Sequence, residues 1–250
     1  MTPNPQALTP RRRVALVTGA NKGIGFAISR QLAKAGLQVI LGARDREKGE
    51  DAARSLRWEG LEADTLCIDL ADLASIAEAA AIFEQKFGCL DILVNNAGIA
   101  SLEDGPPETA SVEAVRQTFA TNFFGTLAVT QAFLPLLKRS RSGRIVNVSS
   151  ELGSITHNGD PDWPFAGHKL IGYNASKAAL NMLTAQLAAE LKPLGILVNS
   201  ADPGFTATDL NGHQGFQAVE QGAVAPVKLA LIDDNGPTGG YFGSDKELPW

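Results

Sequence analysis

A tyrosine and a lysine stand one helical turn apart in the segment YNASK, at positions 173 and 177. At this spacing the two side chains share one face of a helix. An ordinary helix surface would explain the pair, because such pairs are common there. The chemical alternative is an acid and its neighbour, since an ammonium favours the phenolate and brings a phenol nearer the pH at which it exchanges a proton. The rest of the chain decides between the two.

A glycine-rich segment, TGANKGIG at 18–25, follows an apolar strand pattern and opens a helix. Glycines permit a tight turn and let the backbone approach a pyrophosphate, which the helix N-terminus then stabilises. The spacing is not that of a Walker A loop, because GxxxxGK is absent. We therefore predict a dinucleotide site whose loop residues are Gly19, Asn21, Lys22, Gly23, Ile24 and Gly25.

The end of the second predicted strand indicates which dinucleotide binds. An NAD site usually has a carboxylate there, which accepts hydrogen bonds from the ribose. Here the strand ends in Ala43 and Arg44 follows. Arg44 and Lys22 would place two cations near the ribose, which suits the 2′-phosphate of NADP. NAD remains an alternative cofactor because of Asp45, since a strand two residues longer would bring the Asp45 carboxylate to the ribose.

Short apolar runs alternate with helical patterns throughout the chain. Continuous Val, Ile and Leu indicate strands buried on both faces, and strand–helix alternation indicates a parallel sheet with right-handed crossovers. The predicted strands are 14–18, 37–43, 64–69, 91–96, 144–150, 196–201 and one around Tyr241. The predicted helices are 23–35, 46–58, 72–87, 111–137, 174–192 and 217–232.

These elements predict an α/β fold with one domain over residues 1–250. It would be a Rossmann-type, doubly wound parallel sheet of about seven strands with helices on both faces. Residues 1–12 are expected to be flexible. The site should lie beyond the carboxyl ends of the strands, where the strand order reverses.

Composition excludes several other classes of protein. With 44% hydrophobic residues and a net charge of −5, the chain is typical of a globular protein, and Arg11 to Arg13 form its one basic run, so we predict no nucleic-acid partner. We also predict no membrane partner, since no apolar run approaches a membrane span.

Cys67 and Cys89 lie in or beside apolar segments, which predicts reduced, core or near-core thiols in a cytoplasmic protein. The three histidines are spaced irregularly, so no metal site is expected.

Several segments, taken together, resemble the short-chain dehydrogenase/reductase family. They occur in the family's order from Val14 to about Leu210 and comprise TGANKGIG, NNAG at 95–98, Asn122, VNVSS at 146–150, YNASK and DPGFTAT at 202–208. Within the family, NKGIG, ARD at 43–45 and NNAGIA at 95–100 are similar to the carbonyl reductases that use NADPH.

The resemblance implies roles for individual residues. Tyr173 matches the catalytic tyrosine and Lys177 the catalytic lysine. Ser150 matches the substrate-orienting serine, with Ser149 as the alternative, and Asn122 matches the asparagine that holds a proton-relay water. The implied cofactor contacts are Asp69 and Leu70 at the adenine, Asn96 along the cofactor, and Pro203, Gly204, Thr206 and Thr208 at the nicotinamide carboxamide.

The chain departs from the family between Ser150 and Tyr173, where the 22 residues 151–172 exceed the usual spacing. This inserted segment is expected to lie over the active site. Larger insertions there accompany a monomeric state in some carbonyl reductases, so monomer and homo-oligomer both stay open. Trp163, Phe165 and Phe205 either line an apolar pocket or only pack.

The combined pattern predicts an enzyme that uses NADPH to reduce a small-molecule carbonyl, namely a ketone, aldehyde or quinone, to an alcohol, with Tyr173 as the proton donor. One alternative is an NAD-dependent secondary alcohol dehydrogenase. The other is a non-catalytic protein that senses NADP.

Overall fold

The computed structural model describes residues 11–250 of the chain. Within it, seven parallel strands form one sheet in the order β3-β2-β1-β4-β5-β6-β7. The strands are β1 (Val14–Thr18), β2 (Gln38–Ala43), β3 (Ala63–Cys67), β4 (Ile92–Asn95), β5 (Arg144–Val148), β6 (Leu197–Ala201) and β7 (Tyr241–Phe242). The strand order reverses between β1 and β4, which is where a doubly wound sheet opens a crevice for ligands.

Helices cover both faces of this sheet. They are α1 (Gly23–Lys34), α2 (Arg46–Trp58), α3 (Leu73–Phe87), α4 (Val112–Phe119), α5 (Thr126–Leu137), α6 (Ile155–Asn158), α7 (Ile171–Leu191), α8 (Val219–Gly222) and α9 (Val224–Ala230). Apolar residues of α1, α2 and α9 form one buried core, and those of α3, α5 and α7 form a second. The predicted Rossmann-type fold with about seven strands is confirmed.

The predicted helix 111–137 is interrupted by a π-helical turn, Ala120–Gly125. Gly125 rests on the carbonyl of Leu70, where an added Cβ would be only 2.3 Å from the oxygen. Such turns are frequent at functional sites.

By length and mean hydropathy alone, Val112–Leu137 could also cross a membrane. Its residues Val129 and Phe133 are instead fully buried against the sheet, as in a core helix.

Other boundaries also differ from the prediction. The helix predicted at 174 begins at Ile171, because the carboxylate of Asp104 accepts hydrogen bonds from the N–H groups of Gly172 (2.9 Å) and Tyr173 (2.8 Å). The helix predicted over 217–232 is divided into α8 and α9, since Pro226 has no N–H to bond the carbonyl of Gly222.

The predicted strands 64–69, 91–96 and 144–150 also run past the observed ends of β3, β4 and β5. Cys67 is the last residue of the edge strand β3 and is exposed, so the prediction of a core thiol was wrong there, whereas Cys89 is half-buried. Both thiols are free.

The predicted flexible segment 1–12 lies outside the described residues except for Arg11 and Arg12.

Asp91 joins three segments at the amino ends of the strands. Its carboxylate is 5% exposed and accepts from the N–H of Val14 (2.8 Å), from Arg11 (2.8 Å) and from the hydroxyl of Ser140 (2.6 Å). We expect Asp91→Ala to lower the free energy of unfolding by about 2–4 kcal/mol, because buried donors would lose their acceptor. Urea unfolding measures this loss.

The matched control is Asp51→Ala, which removes an exposed carboxylate whose ion pair within residues 11–250 is with Arg54, one helical turn away. Its effect should stay below about 0.5 kcal/mol. Equal losses in the two variants would contradict the assigned role of Asp91.

Candidate active site

A cavity of about 360 Å³ opens at the carboxyl ends of the central strands. Much of the predicted site meets there. The predicted residues that line it are Ile24, Asn96, Ser150, Tyr173, Lys177, Pro203, Gly204, Thr206 and Thr208. The structure thus brings together residues that are up to 184 positions apart in sequence, from Ile24 to Thr208.

Tyr173 and Lys177 lie on the first turns of α7, whose start is fixed by Asp104. Lys177 is 4% exposed. Its Nζ donates to the carbonyl of Val148 at 2.8 Å and lies 5.6 Å from the centroid of the Tyr173 ring. The pair is therefore not an ordinary helix surface.

Burial controls the ionisation of both groups. Burial raises the pKa of Tyr173 to about 12, the negative charge of Asp202 adds to this rise, and the hydroxyl of Ser150 opposes it. Burial lowers the pKa of Lys177 to about 8, and Asp202 opposes that change. The expected lowering of the Tyr173 pKa is therefore not seen, because desolvation of the phenolate is the largest effect and raises this pKa.

The structure distinguishes the two serines that follow β5. Ser150 begins the 3-10 turn Glu151–Gly153, where its Oγ accepts from the N–H of Leu152 at 3.2 Å, and it faces the phenol of Tyr173. Ser149 also lines the cavity, but it is 1% exposed and its hydroxyl lies beside that of Tyr241. Of the two serines, Ser150 is the one beside the phenol of Tyr173.

Asn122 lies in the π-helical turn, 1% exposed and behind the cavity wall. Its Oδ1 accepts from the N–H of Ile99 at 2.8 Å, and its Nδ2 donates to the Ile99 carbonyl at 2.9 Å and to Ser176 Oγ at 3.0 Å. An added Cβ on Gly98 would be 3.4 Å from Lys177 Nζ and 3.5 Å from Asn122 Oδ1. The amide and the ammonium therefore converge on one backbone position.

The glycine-rich loop has the features that a pyrophosphate needs. Gly19 and Gly23 have positive φ, +63° and +59°, which other residues rarely adopt. An added Cβ on Gly25 would be 2.4 Å from Asn96 Nδ2, whose amide also donates to the Gly19 carbonyl at 3.2 Å. The first turn of α1 contains no acidic residue and no side chain caps it, so its N–H groups fit a phosphate.

The residues predicted to contact the adenosine half lie outside this cavity. Arg44 is exposed just beyond β2. Asp45 caps α2 by accepting from the N–H of Lys48 at 3.1 Å. The Asp69 carboxylate accepts from the N–H of Ala71 at 3.0 Å, and Leu70 is a core residue.

Lys22 is not paired with a group at the ribose end of the site. Its ammonium contacts the carboxylate of Asp209, in the loop after Thr208, and His213 contacts the same carboxylate at 2.8 Å. The prediction has Lys22 and Arg44 facing one phosphate, whereas in the structure Asp209 engages the ammonium of Lys22.

The inserted segment contributes an aromatic wall to the cavity. Trp163 packs against Phe165 (5.5 Å between ring centroids), and Phe165 packs against His168 (5.6 Å) and against Phe205 (5.9 Å). All four side chains line the cavity. These aromatic side chains therefore pack on one another and also line the cavity.

Sequence reasoning missed several lining residues. They are Ala100, Val148, Glu151, Leu152, Leu170, Asp202, Leu210, Asn211 and Gln214. Asp202 carried a usable signal, because a carboxylate directly follows a buried strand and precedes Pro203-Gly204. Within residues 11–250, no group of three His, Cys, Asp or Glu side chains is placed to hold a metal ion.

Comparison with known proteins agrees with this geometry. The sequence profile of short chain dehydrogenases matches residues 13–217. The chain is 35% identical to (−)-isopiperitenone reductase of Mentha piperita, over 95% of this chain and 98% of the relative. It is also 35% identical to carbonyl reductase [NADPH] 1 of Mus musculus, over 97% and 100%.

A solved structure is similar over nearly the same extent. The NADPH-bound carbonyl reductase from chicken fatty liver superposes with a TM-score of 0.84 at 27% identity, covering 96% of this chain and 100% of that chain. The fold, the motifs in their order and the matched relatives together carry one conclusion: the chain belongs to the short-chain dehydrogenase/reductase family of oxidoreductases.

Proposed function

We propose that the protein reduces a small-molecule carbonyl to an alcohol with NADPH and that Tyr173 donates the proton. The observation that carries this proposal is the buried Lys177 with the half-buried Tyr173 beside Ser150, in one cavity with the predicted nicotinamide-loop residues. The two relatives compared above support the proposal by name, since both are called reductases and the name of one includes NADPH.

The chain's own groups meet the needs of this reaction. NADPH, when bound, supplies the hydride. As negative charge develops on the substrate oxygen, Ser150 donates a hydrogen bond to it and Tyr173 gives its proton. Lys177 holds positive charge next to the phenol, and Asn122 fixes the backbone beside Lys177. In the oxidative direction, the Tyr173 phenolate would accept the proton.

The preference for NADPH over NADH rests on the end of β2. That strand stops at Ala43, two residues before Asp45, and the Asp45 carboxylate is engaged at the N-terminus of α2. Arg44 is exposed and carries the charge that a 2′-phosphate needs. Both features favour the phosphorylated cofactor.

The aromatic wall favours substrates with an apolar face next to the carbonyl, namely ketones, aldehydes or quinones.

The free thiols Cys67 and Cys89 support the further proposal of a cytoplasmic protein. The single sheet formed by all seven strands of residues 11–250 supports the proposal of a single domain.

The test follows the absorbance of the reduced nicotinamide, with NADPH and NADH run in parallel over aliphatic, aromatic and quinone carbonyls. We expect NADPH-dependent turnover on part of this panel. Turnover only with NAD and secondary alcohols would establish a dehydrogenase instead. Tight NADP binding without turnover in either direction would establish a sensing protein.

Arg44→Ala tests the cofactor preference separately. We expect the Kd of NADPH to rise about tenfold, the loss of one charge-assisted contact, while the Kd of NADH stays unchanged. Fluorescence titration of the reduced cofactors measures both constants. The control is Arg54→Ala, an exposed arginine paired with Asp51 on α2. Equal weakening of NADPH and NADH would rule out a contact with the 2′-phosphate.

A further inference from the structure

Asp202 connects the two loops that form the floor of the cavity. It follows β6 and lines the cavity itself. One carboxylate oxygen accepts from the N–H of Glu151 at 2.9 Å, and the other accepts from the N–H of Gly204 at 2.8 Å. The first amide belongs to the turn after Ser150 and the second to the predicted nicotinamide loop. Both oxygens are therefore used, one on each loop.

The turn after Ser150 is packed directly on the helix that carries the predicted catalytic pair. An added Cβ on Gly153 would be 2.6 Å from the Cβ of Lys177, so the turn and α7 touch without a side chain between them. Ser150 is the first residue of this turn. A shift of the turn at Glu151 would accordingly move Ser150 relative to Tyr173.

The charge of Asp202 faces the same pair. The titratable groups whose charges interact with it are Lys177 and Tyr173 on α7, Glu151 in the turn and Tyr241 on β7. Lys177 is the cation among these groups. Burial raises the pKa of Asp202 to about 6, against the hydrogen bond from Glu151, so the carboxylate is charged above that pH.

We propose that Asp202 is a positioning residue of the active site, which clamps the Ser150 turn to the Pro203-Gly204 loop and holds a carboxylate in the cavity that Lys177 lines. The proposal rests on the reductase function proposed above. Asp202 acts through Ser150 and Lys177 and does not itself exchange a proton with substrate.

The first test is the pH profile of kcat/KM for NADPH-dependent reduction, with Asp202→Asn, Asp202→Ala and the control Asp233→Asn. Asp233 is exposed and lies far along the chain, in the loop after α9. Asn can accept only one of the two hydrogen bonds and Ala neither, so kcat/KM should fall in the order wild type, Asn, Ala, by about tenfold to a hundredfold in total.

The sign of the pH effect follows from the charge. Asp202 raises the pKa of both Lys177 and Tyr173, so its neutralisation lowers both. The high-pH limb of the profile, which belongs to the coupled pair, should move to lower pH by about one unit in Asp202→Asn. A role limited to stability would lower the amount of folded enzyme without moving this limb, and Asp233→Asn should show neither change.

A second measurement does not require turnover. Hydrogen exchange of the Glu151 and Gly204 amides should be faster in Asp202→Asn and faster still in Asp202→Ala, while the strands keep their protection. An unchanged exchange rate overturns the clamp, and an unmoved high-pH limb overturns the electrostatic role. If the wild type has no turnover on any carbonyl, the proposed function fails, and exchange alone still tests the clamp.

Discussion

Tyr173→Phe is expected to lower kcat for carbonyl reduction by about 10²–10⁴-fold, the usual contribution of a positioned general acid. The affinity for NADPH should stay close to that of the wild type. Phenylalanine keeps the ring that lies 5.6 Å from Lys177 Nζ, so packing is preserved and only the hydroxyl is lost. Steady-state kinetics gives kcat, and fluorescence titration gives the cofactor Kd.

The chain offers a matched control because it has only 2 tyrosines. Tyr241 is also buried, at 1% exposure, and its hydroxyl has no hydrogen-bond partner among residues 11–250. Tyr241→Phe therefore removes the same atom from a tyrosine that does not line the cavity, at little cost in stability. We expect kcat to be nearly unchanged in this variant. Retained turnover in Tyr173→Phe would remove the proton-donor role from that residue.

The sheet could be predicted because its strands need little tertiary information. Each central strand is a continuous apolar run, and such runs have few alternatives once helices separate them. The helix boundaries that failed depend on distant residues. The start of α7 requires Asp104, 69 positions before Tyr173, and the π-helical turn requires the carbonyl of Leu70 to meet Gly125. No local pattern contains these contacts.

The residues of the predicted site also divide into those that local patterns could place and those that depend on distant contacts. Motif residues such as Ser150 and Tyr173 could be placed because they lie at the end of a strand and the start of a helix, whose relative positions the fold determines. The partner of Lys22 could not be predicted, since Asp209 reaches it from a loop 187 positions away. The aromatic wall depends on how residues 151–172 pack, and irregular segments have no period from which packing can be read.

Lys177→Met is expected to lower kcat by about 10²–10³-fold, comparable to the loss of one preorganised donor at developing charge. Methionine fills a similar volume without the ammonium. Two effects on stability oppose each other: the carbonyl of Val148 loses its donor at 2.8 Å, while a charged group no longer has to be buried. The melting temperature should therefore change far less than kcat does.

The control for this variant is Lys192→Met, an exposed lysine just beyond the end of α7, which should leave both kcat and the melting temperature unchanged. Because burial lowers the pKa of Lys177 to about 8, the ammonium loses its proton as the pH rises through that value. Wild-type reduction should accordingly weaken in this range, whereas the residual activity of Lys177→Met should lack this dependence. A wild-type kcat in Lys177→Met, or the same pH dependence with and without the lysine, would show that the ammonium takes no part in the reaction.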